Sequence, residues 1–506
     1  MFIQLFVLLS LLVLCSPLQT TLILDVEDGQ IQGDLQTSTR GDQPYAIFYG
    51  VPYAKPPVGT LRFKAPQPVD PWKGVFDNRI SMKSACLQDA FSFEHASEDC
   101  LYLNVATPAL ENGDINQTKS LAVMVWIHGG GWVGGSFDPI IFNPDFFMDH
   151  DVVFVGINYR LGALGFFALE NQAFGNQGLR DQTMALLWVH QNIHNFGGDP
   201  AQVTIFGESS GSCSVFYQSI TPLAEALFHR AIAQSGGNLG PGLGNSPKTQ
   251  EKAFKMGAEV AANAGCSPSE DDIENFKLME CLQNIEDGFA ILNADVYGST
   301  YANVDEVLGD DSFLPRFPRD ILESGNMNKV DIILGVNQDE GLSVIIDILM
   351  DPLNDTKYAK VREHWETDGP YMLFDQHVED VTEAVIAFSK EAAAFYLSGS
   401  IDNYNSEHIA GIVNMYSDAW YWYTMDDWAR LGLQNGLTTF QYIFSHDSLF
   451  GLLFLAGVPD SNDYGVCHGD EISRLFGGAL SSILPTEDEK VSRDMVRWWT
   501  NFAKYG

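Results

Sequence analysis

Gly207-Glu208-Ser209-Ser210-Gly211 follows directly on the apolar run Val203-Thr204-Ile205-Phe206. The pattern reads as a strand, a sharp turn and a helix, with a serine at the apex. Such a turn strains the backbone and brings the helix hard against the strand, so glycines flank it. The strand must then belong to a sheet that carries helices. The serine hydroxyl stands clear of that sheet, where a base and a substrate can reach it. A short motif of this kind also occurs in ordinary strand-to-helix turns. Its place after a strand, and the partners found elsewhere in the chain, make Ser209 the expected nucleophile.

The rest of the chain repeats the alternation of strand and helix. Leu121–Ile127, Val152–Asn158, Arg230–Ala233, Val330–Val336 and Thr438–Phe444 read as strands. Gln182–Asn195 reads as a helix, with apolar Met184, Leu187, Val189 and Ile193 on one side. This predicts an α/β fold with a mainly parallel sheet and helices on both faces. The first hundred residues, rich in Pro and Gly, are expected to form a layer of strands and loops. The stretch from about 345 to 435 reads as a helical insertion or lid. No linker, low-complexity run or internal repeat interrupts the 506 residues, so a single domain over 21–506 is expected.

Ligands in such sheets bind beyond the carboxyl ends of the strands, and the suggestive motifs all fall there. His128-Gly129-Gly130-Gly131-Trp132 follows the strand Leu121–Ile127. Acyl transfer needs backbone N–H groups aimed at a developing oxyanion, and glycines allow that close approach. The N–H groups of Gly130, Gly131 and Ser210 are assigned to this oxyanion hole. A phosphate cradle does not fit, because no Lys or Ser/Thr follows at the required spacing. A serine nucleophile also needs a neutral imidazole, and the imidazole a carboxylate to hold its tautomer. Asn337-Gln338-Asp339-Glu340-Gly341 follows the strand Val330–Val336, and both Asp339 and Glu340 compete as that acid. His468, in Gly465-Val466-Cys467-His468-Gly469-Asp470-Glu471, lies between glycines on a loop and is the candidate base.

Charge and cysteines bound the surroundings. The formal net charge is −38, from 66 acidic and 28 basic residues, which disfavours nucleic acid and anionic membranes as partners. The charge fits a heavily solvated surface better than a device for steering cations. Residues 1–20 have the apolar core of a signal peptide, too short to span a bilayer, which predicts secretion or a place in the secretory-pathway lumen. No other segment is apolar enough to cross a membrane. Beyond Cys15 the cysteines are Cys86, Cys100, Cys213, Cys266, Cys281 and Cys467, an even set that invites disulfides. Sequons at Asn116 and Asn354 are candidate glycosylation sites.

Taken together, these motifs resemble the type-B carboxylesterase/lipase family, the carboxylesterases and cholinesterases. Gly207–Gly211 resembles its serine signature, and Glu98-Asp99-Cys100-Leu101-Tyr102-Leu103-Asn104-Val105 its second signature. Tyr49–Phe63, Asn158–Gly162 and Gly175–Gln182 are similar to further blocks, so the likeness runs from about residue 22 to 506. The resemblance implies an α/β-hydrolase fold and a serine esterase that needs no metal or organic cofactor. It implies Glu340 as the acid, His468 as the base, and Glu208 as a carboxylate that supports the imidazolium. It also implies disulfides Cys86–Cys100 and Cys266–Cys281, each worth roughly 3 kcal/mol in the chain-entropy model. Ion pairs Arg62–Glu98 and Arg160–Asp181 follow from the same likeness.

Some positions depart from the family. The first disulfide loop, Leu87 to Asp99, holds no Trp, only Phe91 and Phe93. Cholinesterases use a Trp there to bind quaternary ammonium. The stretch Gly236–Leu243, which matches the acyl pocket, has no aromatic either. General carboxylic esters are therefore expected over choline esters, with a cholinesterase or bile-salt-type lipase as alternatives and a neuroligin-like adhesion protein as the non-enzymatic one. Ser210 and Ser212 stand where the family usually has Ala or Gly, and Cys213 and Cys467 are expected as buried free thiols. The chain stops several dozen residues before the family pattern does, so a C-terminally incomplete record is one expectation.

Overall fold

The runs read as strands come together in a single 11-stranded sheet. The computed structural model describes residues 22–77, 84–88, 95–237, 239, 247–267, 275–295, 302–374, 382–447, 451–459, 461, 464–477 and 485–506. The strands are β1 (Leu22–Val26), β2 (Gly29–Thr37), β3 (Pro44–Pro52), β4 (Val75–Asp77), β5 (Tyr102–Thr107) and β6 (Leu121–Ile127). They continue with β7 (Val152–Ile157), β8 (Gly198–Glu208), β9 (Arg230–Gln234), β10 (Asp331–Asn337) and β11 (Thr439–Phe444). Their order across the sheet is β1-β2-β3-β5-β7-β6-β8-β9-β10-β11, with β4 beside β2.

The first strands, β1, β2, β3 and β5, pair antiparallel, and β5 pairs antiparallel with β7. From β7 through β6, β8, β9 and β10 to β11 every neighbour is parallel. This is an α/β fold with a mostly parallel sheet, as the alternation predicted. The register sets the parallel strands level at one end: Gly207 lies opposite Ile127, Glu208 opposite Gln234, and Gln234 opposite Gly335.

Strands buried on both faces read as continuous apolar runs, and β6 shows why. Val123, Val125 and Ile127 point into one core, which also takes Val215 and Phe216. Met124 and Trp126 point into the other, with Phe154, Phe206 and Trp499. Helix α1 (Gln177–Asn192) and helix α2 (Ser210–Ile220) follow their strands as expected. Helix α1 starts before the predicted Gln182 and gives way to a 3-10 turn at Ile193. Gly178 in its first turn is a packing contact rather than a breaker: a Cβ there would lie 2.5 Å from the Arg160 carbonyl oxygen. The described parts of residues 346–434 are mostly helical, ending in helix α3 (Ile409–Ser417), a π-helical turn (Asp418–Trp422) and helix α4 (Tyr423–Gln434).

Covalent and ionic clamps hold the loops. Cys86–Cys100 and Cys266–Cys281 are bonded, and Cys213 and Cys467 are free and buried. Arg62 meets Glu98 through two nitrogens at 2.7 and 2.6 Å. Arg160 meets Asp181 likewise at 2.7 and 2.6 Å, and both are buried. Paired this way the charges are tolerated in the core; removing one partner strands the other at about 3–5 kcal/mol. Among the described residues no helix is long and apolar enough to cross a membrane. The expected leader, residues 1–20, lies outside the described residues, as do Phe91, Phe93, Asn238 and residues 240–243.

Candidate active site

Ser209 sits between β8 and α2 with φ 58° and ψ −125°. That conformation is strained for any residue with a side chain, at a cost of order 1–3 kcal/mol. The neighbouring glycines make it feasible. A Cβ at Gly207 would lie 2.6 Å from the Ile127 carbonyl oxygen, and one at Gly211 only 2.1 Å from the same atom. The Ser209 N–H donates to the Gln234 carbonyl (2.9 Å) and its carbonyl accepts from Cys213 N–H (3.0 Å), which pins the apex between β9 and α2. The serine remains partly exposed among buried neighbours.

The glycine loop after β6 lies alongside. Gly130 and Gly131 have φ of 107° and 64°. Among the described residues no backbone hydrogen bond uses their N–H groups, while the Gly130 carbonyl accepts from Val133 and Gly134 at 3.2 and 3.0 Å. Trp132 N–H donates to Ser210 Oγ at 3.2 Å, tying the loop to the start of α2. A Cβ at Gly129 would come 3.1 Å from Ser209 Cβ, so loop and elbow touch. His128 is buried, stacks on Tyr159 at 4.4 Å, and bonds the Gly129 carbonyl through Nδ1 at 2.8 Å. Burial pulls its pKa down to about 4, so it is a neutral strut under the loop.

On the other side stand the acid and the base. Glu340 opens the turn after β10 and is wholly buried. One oxygen accepts from Asn337 N–H at 2.7 Å, and the other lies 2.7 Å from His468 Nδ1. The structure therefore brings Glu340 to His468. Asp339 turns away, its carboxylate accepting from Val466 N–H at 3.0 Å. His468 Nε2 lies 3.1 Å from Glu208 Oε1. Glu208 Oε1 nevertheless has no aligned hydrogen bond, so this contact is electrostatic. Burial lowers the pKa of His468, but Glu208 and then Glu340 outweigh it and raise it to about 9. Glu208 is itself raised to about 8, chiefly by burial, with His468 opposing and Glu471, Glu340 and Asp470 adding to the rise.

The same loop carries residues that motif reading left without a role. Glu471 accepts from Gln234 Nε2 (3.0 Å) and Asn337 Nδ2 (2.7 Å), and Asn337 Nδ2 also donates to the Cys467 carbonyl at 2.7 Å. Asp470 accepts from Leu452 N–H and Cys467 N–H, both at 2.7 Å. These bonds fold the loop that presents His468. The adjacency of Asp470 and Glu471 to His468 was a usable signal. So was the polar last residue of β9 and of β10, Gln234 and Asn337.

A sheet of this topology, with a serine elbow and a glycine loop at its carboxyl ends, defines an α/β-hydrolase. The model of the carboxylesterase family matches residues 20–506, and the chain belongs to that family. It is 34% identical over 502 residues to juvenile hormone esterase of Tribolium castaneum, covering 94% of this chain and 82% of that protein. It is 33% identical over 521 residues to liver carboxylesterase of Sus scrofa, covering 96% and 85%. Venom carboxylesterase-6 of Apis mellifera is 31% identical over 503 residues, covering 94% and 84%. Membership of this family makes the chain a carboxylic ester hydrolase.

Proposed function

We propose that the chain cleaves small-molecule carboxylic esters through an acyl-enzyme on Ser209. The observation that carries this reading is the 2.7 Å approach of Glu340 to His468 Nδ1 beside the strained Ser209 elbow. With Nδ1–H given to Glu340, Nε2 is the basic nitrogen. It takes the proton as Ser209 Oγ attacks the ester carbonyl carbon. The carbonyl oxygen gains the negative charge and is received by the N–H groups of Gly130, Gly131 and Ser210. Collapse breaks the bond to the alkoxy oxygen, which leaves as the alcohol with the proton from Nε2. Water then attacks the acyl carbon and gives a proton to Nε2; the acyl–Oγ bond breaks, Oγ takes that proton back, and the carboxylic acid departs. Glu208, against the Nε2 edge, favours the imidazolium that forms in each half-reaction. Nothing in this sequence calls for a metal or an organic cofactor.

Neutral esters are the proposed substrates, since the first disulfide loop offers no Trp for a quaternary ammonium. Secretion is proposed from the apolar leader, the bonded cysteine pairs and the two sequons. Asn116 and Asn354 are both partly exposed, which supports their use as glycosylation sites. The test of the catalytic reading is Ser209→Ala together with labelling by an organophosphate. The variant is expected to fold and to lose hydrolysis, and the unaltered enzyme to be labelled at Ser209. Full activity of the Ala variant refutes the assignment.

A further inference from the structure

His468 is held at one edge by Glu340, but an imidazole held at one edge can still swing about its Cβ–Cγ bond. Its face meets Tyr421, with ring centroids 4.8 Å apart and planes tilted by 42°. Tyr421 is 8% exposed and sits in the π-helical turn Asp418–Trp422, between α3 and α4. Such turns insert a residue into a helix, re-aim its side chains and recur at functional sites.

The contacts of that turn lead to the acid as well as the base. Tyr421 OH is 3.4 Å from Ser343 Oγ, and Ser343 Oγ donates to the Glu340 carbonyl at 2.8 Å. A serine hydroxyl has one proton, so Tyr421 is the donor of the longer bond. Ser417, just before the π turn, accepts from Gly341 N–H through its Oγ at 2.9 Å. Gly341 allows this approach: a Cβ there would lie 2.2 Å from the Val413 carbonyl oxygen in α3. The helical insertion is thus fastened at two points, Gly341 and Ser343, to the turn that Glu340 opens, and one of its rings lies on His468.

We propose that Tyr421 is a positioning residue for ester hydrolysis, its ring fixing the plane of the His468 imidazole while its hydroxyl docks the π turn onto the turn that carries Glu340. This rests on the catalytic reading of Ser209, His468 and Glu340. The ring carries most of the effect, because the Tyr421–Ser343 bond is long. Freed from it, the imidazole loses its alignment between Ser209 and Glu340, and small misplacements of a reacting group cost up to about 100-fold in rate.

The experiment compares Tyr421→Leu, Tyr421→Phe and His468→Ala in the full-length secreted enzyme. It reads kcat and KM for p-nitrophenyl acetate and the low-field proton resonance of His468 Nδ1–H. Tyr421→Leu is expected to lower kcat by about 10–100-fold with KM within about threefold, and to broaden or lose the resonance. Tyr421→Phe is expected to keep kcat within about threefold and retain the resonance. The inference is overturned if Tyr421→Leu keeps kcat and the resonance while His468→Ala is inactive. It is overturned equally if Leu raises KM with kcat intact, which would place Tyr421 in the ester pocket. A large kcat loss in Tyr421→Phe, a variant that preserves the packing, also overturns it. If His468→Ala retains turnover, the catalytic reading itself falls, and this inference with it.

Discussion

Glu340→Gln is the sharpest perturbation of the proposed triad, because the structure dictates how the amide must sit. One Glu340 oxygen accepts from Asn337 N–H at 2.7 Å, a buried donor. The amide oxygen of Gln has to take that place, since an NH2 group there would face an N–H. The Gln NH2 then falls where the other carboxylate oxygen was, 2.7 Å from His468 Nδ1. Two donors cannot share that contact, so the imidazole moves its proton to Nε2. It can then no longer accept the Ser209 proton, and the imidazolium loses its partner charge. Replacing a triad carboxylate by an amide in this way lowers kcat about 10⁴-fold, or about 5.4 kcal/mol of transition-state stabilisation. Asp339→Asn is the internal control. Its carboxylate accepts from Val466 N–H at 3.0 Å, a bond an amide oxygen also makes, so kcat is expected within about threefold. Steady-state hydrolysis of p-nitrophenyl acetate by both variants decides. Glu340→Gln within tenfold of the unaltered enzyme, or Asp339→Asn as the slower variant, refutes the reasoning.

Glu208→Gln is expected to move the rising limb of kcat/KM against pH to lower pH. His468 must be neutral to act as base, and the charge of Glu208 is the largest single effect that raises its pKa to about 9; a limb that stays put or moves up counts against this role. Thiol titration of the denatured, unreduced mature enzyme is expected to count the two free thiols, Cys213 and Cys467, and a count of zero contradicts their separation. Acetylcholine is expected to be cleaved with much lower kcat/KM than a neutral aryl acetate. Any help from the charge of −38 should fade with salt, as exposed charges are screened within about 8–10 Å; a strong choline preference that survives high salt shows that another aromatic face binds the cation.

The strands were legible because parallel strands buried on both faces cannot hide polar residues, and Leu121–Ile127 was recovered with its observed ends. The loops at their carboxyl ends were legible because glycines mark close approach. The choice between Asp339 and Glu340 was not legible from the residues themselves, since they are adjacent and chemically alike. The structure separates them through Asn337 N–H, which captures Glu340, and Val466 N–H, which captures Asp339. Strand β8 extends to both sides of the predicted Val203–Phe206, with a register shift between Gly198 and Val203 where Pro200 cannot donate to the ladder. Tyr421 gave no signal at all. It lies in a run of aromatics, Trp420-Tyr421-Trp422-Tyr423, and its approach to His468 depends on a π turn that periodicity does not reveal.

Ser210 and Ser212 depart from the small apolar residues of the family pattern, and the structure gives each hydroxyl a task. Ser210 Oγ accepts from Trp132 N–H at 3.2 Å, on the glycine-loop side of Ser209. Ser212 Oγ donates to the Gly236 carbonyl at 2.7 Å, on the opposite side. Next to it, Cys213 Sγ reaches the Gly237 carbonyl at 3.2 Å, so the thiol serves the same segment. The first turn of α2 thus draws both flanking loops onto the elbow. A hydroxyl without a partner in so buried a place would cost about 1–3 kcal/mol. Here each is matched by a backbone group that would otherwise lose that bond. The departures are compatible with the Ser210 N–H serving the proposed oxyanion hole, because among the described residues it is the side chain and not the amide that holds the loop. They bear on the stiffness of the site around Ser209, and not on the chemistry that Ser209, His468 and Glu340 are proposed to perform.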